Sequence, residues 1–173
     1  ETANGYISYP IRGRTCRHVK CVRLFHRERK VRHIKIASGY STDIFYGDFV
    51  KLVSSGTVEK AAVTTSVVAG TVGIFVGCNY TDPTTKQPTY NQYFPASPAA
   101  SEIVAYVVDD PDLLFQMQGD ASIAQTGLGN NVSAVNTAGS TSIGRSRNAV
   151  DASSIATTNT LPLRIVDLSL IHI

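Results

Sequence analysis

Residues 43–60, DIFYGDFVKLVSSGTVEK, constrain this chain more than any other stretch. Two short alternating segments flank Ser54-Ser55-Gly56, a pattern suited to a strand, a tight turn and a returning strand. Val50 and Leu52, with Phe45, point to one side, while Lys51, Ser54 and Glu59 take the positions of a solvated face. Two further apolar blocks, 71–78 and 102–108, are too short for ordinary helices, and their Val, Ile, Phe and Tyr content favours strands. Strands are expected at 34–37, 48–53, 57–62, 72–78, 102–108, 113–118 and 161–168, with Pro162 putting the start of the last at an edge.

Charge divides the chain. Residues 1–35 carry ten Lys or Arg against Glu1 and Glu28, a net +8, whereas the other 138 residues carry six basic and eleven acidic side chains, a net −5. A basic N-terminal arm over 1–33, broken by Gly5, Pro10 and Gly13, is therefore expected ahead of a β-rich domain over 34–168. Within the arm, 19–25 and 31–36 each suit a short strand. Residues 79–101 read as a loop insertion, with four prolines beside Tyr80, Tyr90, Tyr93 and Phe94. Residues 127–160 are rich in Ser, Thr, Ala, Asn and Gly, with spaced Val and Ile anchors that argue for short strands and turns. No apolar run approaches the roughly 20 residues that span a bilayer, so a soluble chain without membrane contact is expected. Three cysteines make a disulfide framework improbable and suggest reduced thiols and synthesis in a cytoplasm.

Catalytic chemistry finds little purchase. Cys16, His18, Cys21, His26 and His33 are zinc-ligand types, but their spacing fits neither a knuckle nor a ribbon. Asp109, Asp110 and Asp112 gather carboxylates, yet Pro111 accounts for them as a turn ending a strand. No serine lies in a nucleophile-elbow setting, and Gly127-Leu128-Gly129 lacks the lysine of a phosphate loop. A non-enzyme without cofactor or metal is expected. Cations spread along the arm suit either phosphates or an acidic protein surface.

Taken in order, IASGYSTDIFYGDFVKL (36–52), GIFVGC (73–78), YFPA (93–96), VAYVVDDPDLLFQMQ (104–118), GSTSIGRS (139–146), VDASS (150–154) and LRIV (163–166) resemble the capsid decoration, or cement, proteins of tailed bacteriophages. The resemblance implies a single β-barrel or sandwich domain, β-tulip-like, with the basic arm and a Ser/Thr/Gly-rich C-terminal extension. It implies a virion protein on the outer capsid surface, partnered by the major capsid protein and by copies of itself, as trimers or else as dimers across two-folds. The expected capsid contacts are Arg12, Arg14, Arg17, Lys20, Arg23, Arg27, Arg29, Lys30 and Arg32, with Tyr80, Tyr90, Tyr93 and Phe94 as interface aromatics. The alternative is a nucleic-acid-binding β-barrel that uses the arm. Residues 169–173 read as a tail, with the look of a translated adapter.

Overall fold

A computed structural model describes residues 4–8, 23–25, 30–64, 70–96, 98, 100, 102–110 and 113–169. The protein is mainly β, with no helix of seven residues or more among the described residues. Its strands are β1 (Asn4–Ser8), β2 (Arg23–Phe25), β3 (Val31–Lys35), β4 (Phe49–Leu52), β5 (Val58–Lys60), β6 (Thr71–Thr81) and β7 (Pro88–Asn91). They continue with β8 (Ile103–Val108), β9 (Leu114–Gln118), β10 (Asn131–Val132), β11 (Ala134–Val135), β12 (Ala149–Val150) and β13 (Leu163–Ser169).

Six strands form the principal sheet, in the order β3-β8-β6-β4-β5, with β7 also paired to β6. β6 is long enough to pair with β8 along one side and with β4 and then β7 on the other. The 53–57 turn closes β4 onto β5 through Gly56 N–H to Val53 O (2.8 Å) and Val53 N–H to Thr57 O (3.0 Å). An isolated bridge joins Ile36, just past β3, to Val58 at the opposite edge, but the sheet does not close into a barrel. A second sheet has the order β10-β13-β1-β9-β2, and β11 with β12 forms a small ribbon.

The centre of the principal sheet is apolar on both faces because neighbouring residues on its strands serve different cores. Ile74, Val108 and Phe49 point toward the second sheet and pack with Phe115, Met117 and Ile165. Phe75, Val107 and Val50 point the other way, into a core completed by Ile44, Phe94 and Ile103. Phe49 and Phe115 meet edge to face, with centroids 5.7 Å apart.

Two expected boundaries change. The 79–101 segment is not a loop throughout: β6 runs to Thr81, turns over 82–87 and returns as β7. Asp82 organises that turn, its Oδ1 accepting from Thr84 N–H (2.7 Å) and Thr85 N–H (3.2 Å). Pro88 is tolerated because it is the first residue of a strand that has no second partner among the described residues, where no ladder N–H is needed. Residues 4–8 and 23–25, expected in a separate arm, pair their backbones with β9 on its two sides.

Candidate functional site

The most unusual chemistry lies inside the protein. Asp48 is fully buried just ahead of β4, and Lys60 ends β5 with its side chain only 17% exposed. Lys60 Nζ donates to Asp48 Oδ2 at 2.8 Å. The same oxygen accepts from Phe45 N–H (3.0 Å), and Asp48 Oδ1 accepts from Asn148 Nδ2 (3.2 Å). Asn148 Oδ1 is buried with no hydrogen-bond partner among the described residues.

Local structure holds these groups in place. The 45–48 turn is closed by Asp48 N–H to Phe45 O (2.9 Å), and Asp48 O accepts from Phe75 N–H (2.9 Å) on β6. Lys60 N–H donates to the Tyr40 hydroxyl at 3.0 Å. Its ammonium sits 5.7 Å from the centre of the Phe45 ring, which stacks on Tyr93 at 5.6 Å. Gly139 is required beside Phe45, since a Cβ there would run into the ring. The cluster thus ties the first hairpin to a segment 100 residues later.

A second feature is on the surface. The face of the principal sheet that carries Val108 into the core runs on past it, because His33, Tyr106 and Gly77 share one row across β3, β8 and β6. His33 stands edge-on to Tyr106 with centroids 4.7 Å apart, and Tyr90 of β7 lies 6.0 Å from Tyr106. Tyr90 crosses over Gly77, where a Cβ would fall 2.5 Å from its hydroxyl, and donates to Val76 O at 3.3 Å. Partial burial raises the Tyr90 phenol above its ordinary value, helped by Cys78 and Tyr106 nearby. Tyr90 is nevertheless 64% exposed, and Val31 at 43% extends the same strip.

A cleft of about 280 Å³ lies where the two sheets meet, walled by Phe49, Ile74, Leu113, Phe115 and Leu163, with Asp109 and Asp110 in its lining. Asp109 also pairs with Arg32 Nε at 2.6 Å.

Of the expected contacts, Lys30 and Arg32 are exposed, and Arg32 is the one paired with Asp109. Arg23 lies on β2. Arg12, Arg14, Arg17, Lys20, Arg27 and Arg29 lie outside the described residues, as do Cys16, His18, Cys21, His26, Asp112 and residues 170–173. The four aromatics separate: Phe94 is a fully buried core residue, Tyr80 and Tyr93 are half-buried, and Tyr90 faces outward. Cys78 is buried too; its thiol donates to Tyr93 O (3.6 Å), and burial pushes it up to about 12. The buried cluster escaped the sequence reading, although alternation in β5 signals it: with Glu59 outside, Lys60 must face the core.

No family model, curated protein or solved structure matches this chain.

Proposed function

We propose that this chain is a non-catalytic structural domain that docks on the outer surface of a tailed-phage capsid and reinforces contacts between major capsid subunits. In finer detail the fold is read as a sandwich-like or β-tulip-like decoration domain, with copies clustered as trimers. The order of motifs from 36 to 166 supports the reading. The observation that carries it is the open strip of Val31, His33, Tyr106 and Tyr90 on a sheet whose central strands are buried on both faces around Phe49, Ile74, Phe75, Val107 and Val108. Tyrosines with apolar rings and polar tips are suited to a protein interface. A ligand that binds an assembled shell and not its free subunits stabilises the shell by mass action. Many modest sites then suffice.

The test is co-sedimentation of the purified chain with expanded, DNA-free shells of the parent phage and, separately, with free capsid subunits. Saturable binding to shells alone supports the proposal. Absence of shell binding, together with DNA affinity that falls steeply with the logarithm of salt concentration, refutes it and favours the nucleic-acid alternative.

A further inference from the structure

Asp48, Lys60 and Asn148 bring an amine, a carboxylate and a primary amide together in the interior, the carboxylate placed between the other two. One Asp48 oxygen takes the Lys60 ammonium at 2.8 Å and the other takes the Asn148 amide at 3.2 Å. Asp48 is fully buried, Asn148 is 8% exposed, and Phe45 and Phe75, whose backbone N–H groups bond to Asp48, are buried as well. Two features exceed what a simple structural ion pair requires. The amide is drawn onto the same carboxylate as the ammonium, and its own oxygen has no partner among the described residues. We propose that Lys60 and Asn148 form a self-modification site, in which Asp48 promotes an intramolecular isopeptide bond between Lys60 Nζ and Asn148 Cγ.

The chemistry balances within the cluster. A proton passes from the Lys60 ammonium to Asp48 across their hydrogen bond, leaving a neutral amine. A half-turn of the Asn148 amide then presents Oδ1 to the protonated Asp48, which polarises the carbonyl as the amine attacks Cγ. The Nζ–Cγ bond forms and the Cγ–Nδ2 bond breaks. A second proton from the attacking nitrogen reaches Nδ2 through Asp48, so ammonia departs and Asp48 keeps one proton. No oxidant, metal or cofactor is consumed.

The driving force follows from burial. The ion pair is replaced by a neutral amide and a neutral acid that can donate to the new carbonyl, removing two charges from a site that solvates them poorly. Proximity supplies the rate, since Lys60 N–H is fixed to Tyr40 and Asp48 to the backbone of Phe45 and Phe75. The bond would covalently join β5 to the 145–150 segment. A domain that serves a mechanical role gains a cross-link that needs no oxidising compartment. The site stands on its own geometry and is independent of the capsid reading.

The decisive experiment is intact-mass spectrometry of the folded wild-type chain after denaturation, followed by tryptic mapping. The expected result is a mass lower by one ammonia. Trypsin should fail to cut after Lys60, so that peptide 52–86 is found joined to peptide 148–164. Lys60→Arg and Asp48→Asn, checked for folding by circular dichroism, should retain full mass. The wild-type arm needs no variant to fold. A folded wild-type chain of full mass with normal cleavage after Lys60 overturns the proposal. Loss of water with linkage to Asp48 overturns Asn148 as the acceptor, and an intact cross-link in Asp48→Asn overturns the role of Asp48.

Discussion

Two glycines of β6 place different demands on the sheet, and alanine at each separates them. At Gly73 a Cβ would lie 2.9 Å from the carbonyl carbon of Val108, closer still to its oxygen, and 3.4 Å from Asp109 Cα. All of these are backbone atoms of or beside β8, so no side chain can swing away. β6 and β8 must separate by about 1 Å to restore ordinary contact, just where Ile74 and Val108 enter the core beside Phe49. One or two weakened ladder bonds at about 1 kcal/mol each, added to an overpacking strain of about 1–3 kcal/mol, give a loss of about 2–5 kcal/mol for Gly73→Ala. At Gly77 the obstacle is the end of the exposed Tyr90 side chain, which can rotate into water. The remaining cost is the backbone conformation, φ +146°, about 1–3 kcal/mol for an L-residue. Urea denaturation followed by circular dichroism measures both. In Gly77→Ala the displaced Tyr90 should also titrate closer to the ordinary phenol value, read by ultraviolet absorbance. A Gly73→Ala protein within about 0.5 kcal/mol of wild type would refute the close β6–β8 approach.

The other side chains give shorter tests. Lys60→Met strands Asp48 in the interior and should destabilise by about 3–5 kcal/mol; a loss under about 1 kcal/mol in urea would show that the carboxylate reaches water. Phe94→Ala should destabilise by about 3–5 kcal/mol, because the ring is fully buried. Tyr90→Ala should leave folding within about 1 kcal/mol of wild type and weaken shell binding, with unchanged co-sedimentation counting against the aromatic strip. Cys78 holds its proton up to about pH 12 when folded and releases it near pH 9.0 when unfolded, so its contribution is complete below pH 9 and is lost as pH rises from there. Relative to Cys78→Ala, wild-type stability should therefore fall above pH 9 by at most about 1.4 kcal/mol per pH unit, and parallel curves would contradict this.

The strands that proved legible are those whose side chains record burial directly. β4, β5, β6, β8, β9 and β13 each carry β-branched or aromatic residues, and the Ser54-Ser55-Gly56 turn fixes the first hairpin by itself. β7 was hidden because Pro88 reads as a strand breaker until its edge position is known. The split among the four aromatics was hidden as well: Phe94 pairs with Ile44 through reciprocal backbone bonds of 2.7 and 3.0 Å, a long-range contact with no local mark. Lys60 was half legible through alternation. The cluster it joins was not, since the Asp48–Asn148 contact spans 100 residues and has no periodicity to betray it. Arg32 read as part of a free basic run, yet β3 pairs with β8 in a register that sets it beside Asp109.

The central claim, that this domain decorates a capsid exterior, is tested most directly by a cryo-EM reconstruction of the parent particle at side-chain resolution. The account predicts density for this fold on the outer surface, grouped about three-fold and quasi-three-fold positions, with Tyr90 and Tyr106 against a capsid subunit or a neighbouring copy. Particles with no such density outside the shell, or with the domain bound to nucleic acid inside it, would contradict the account.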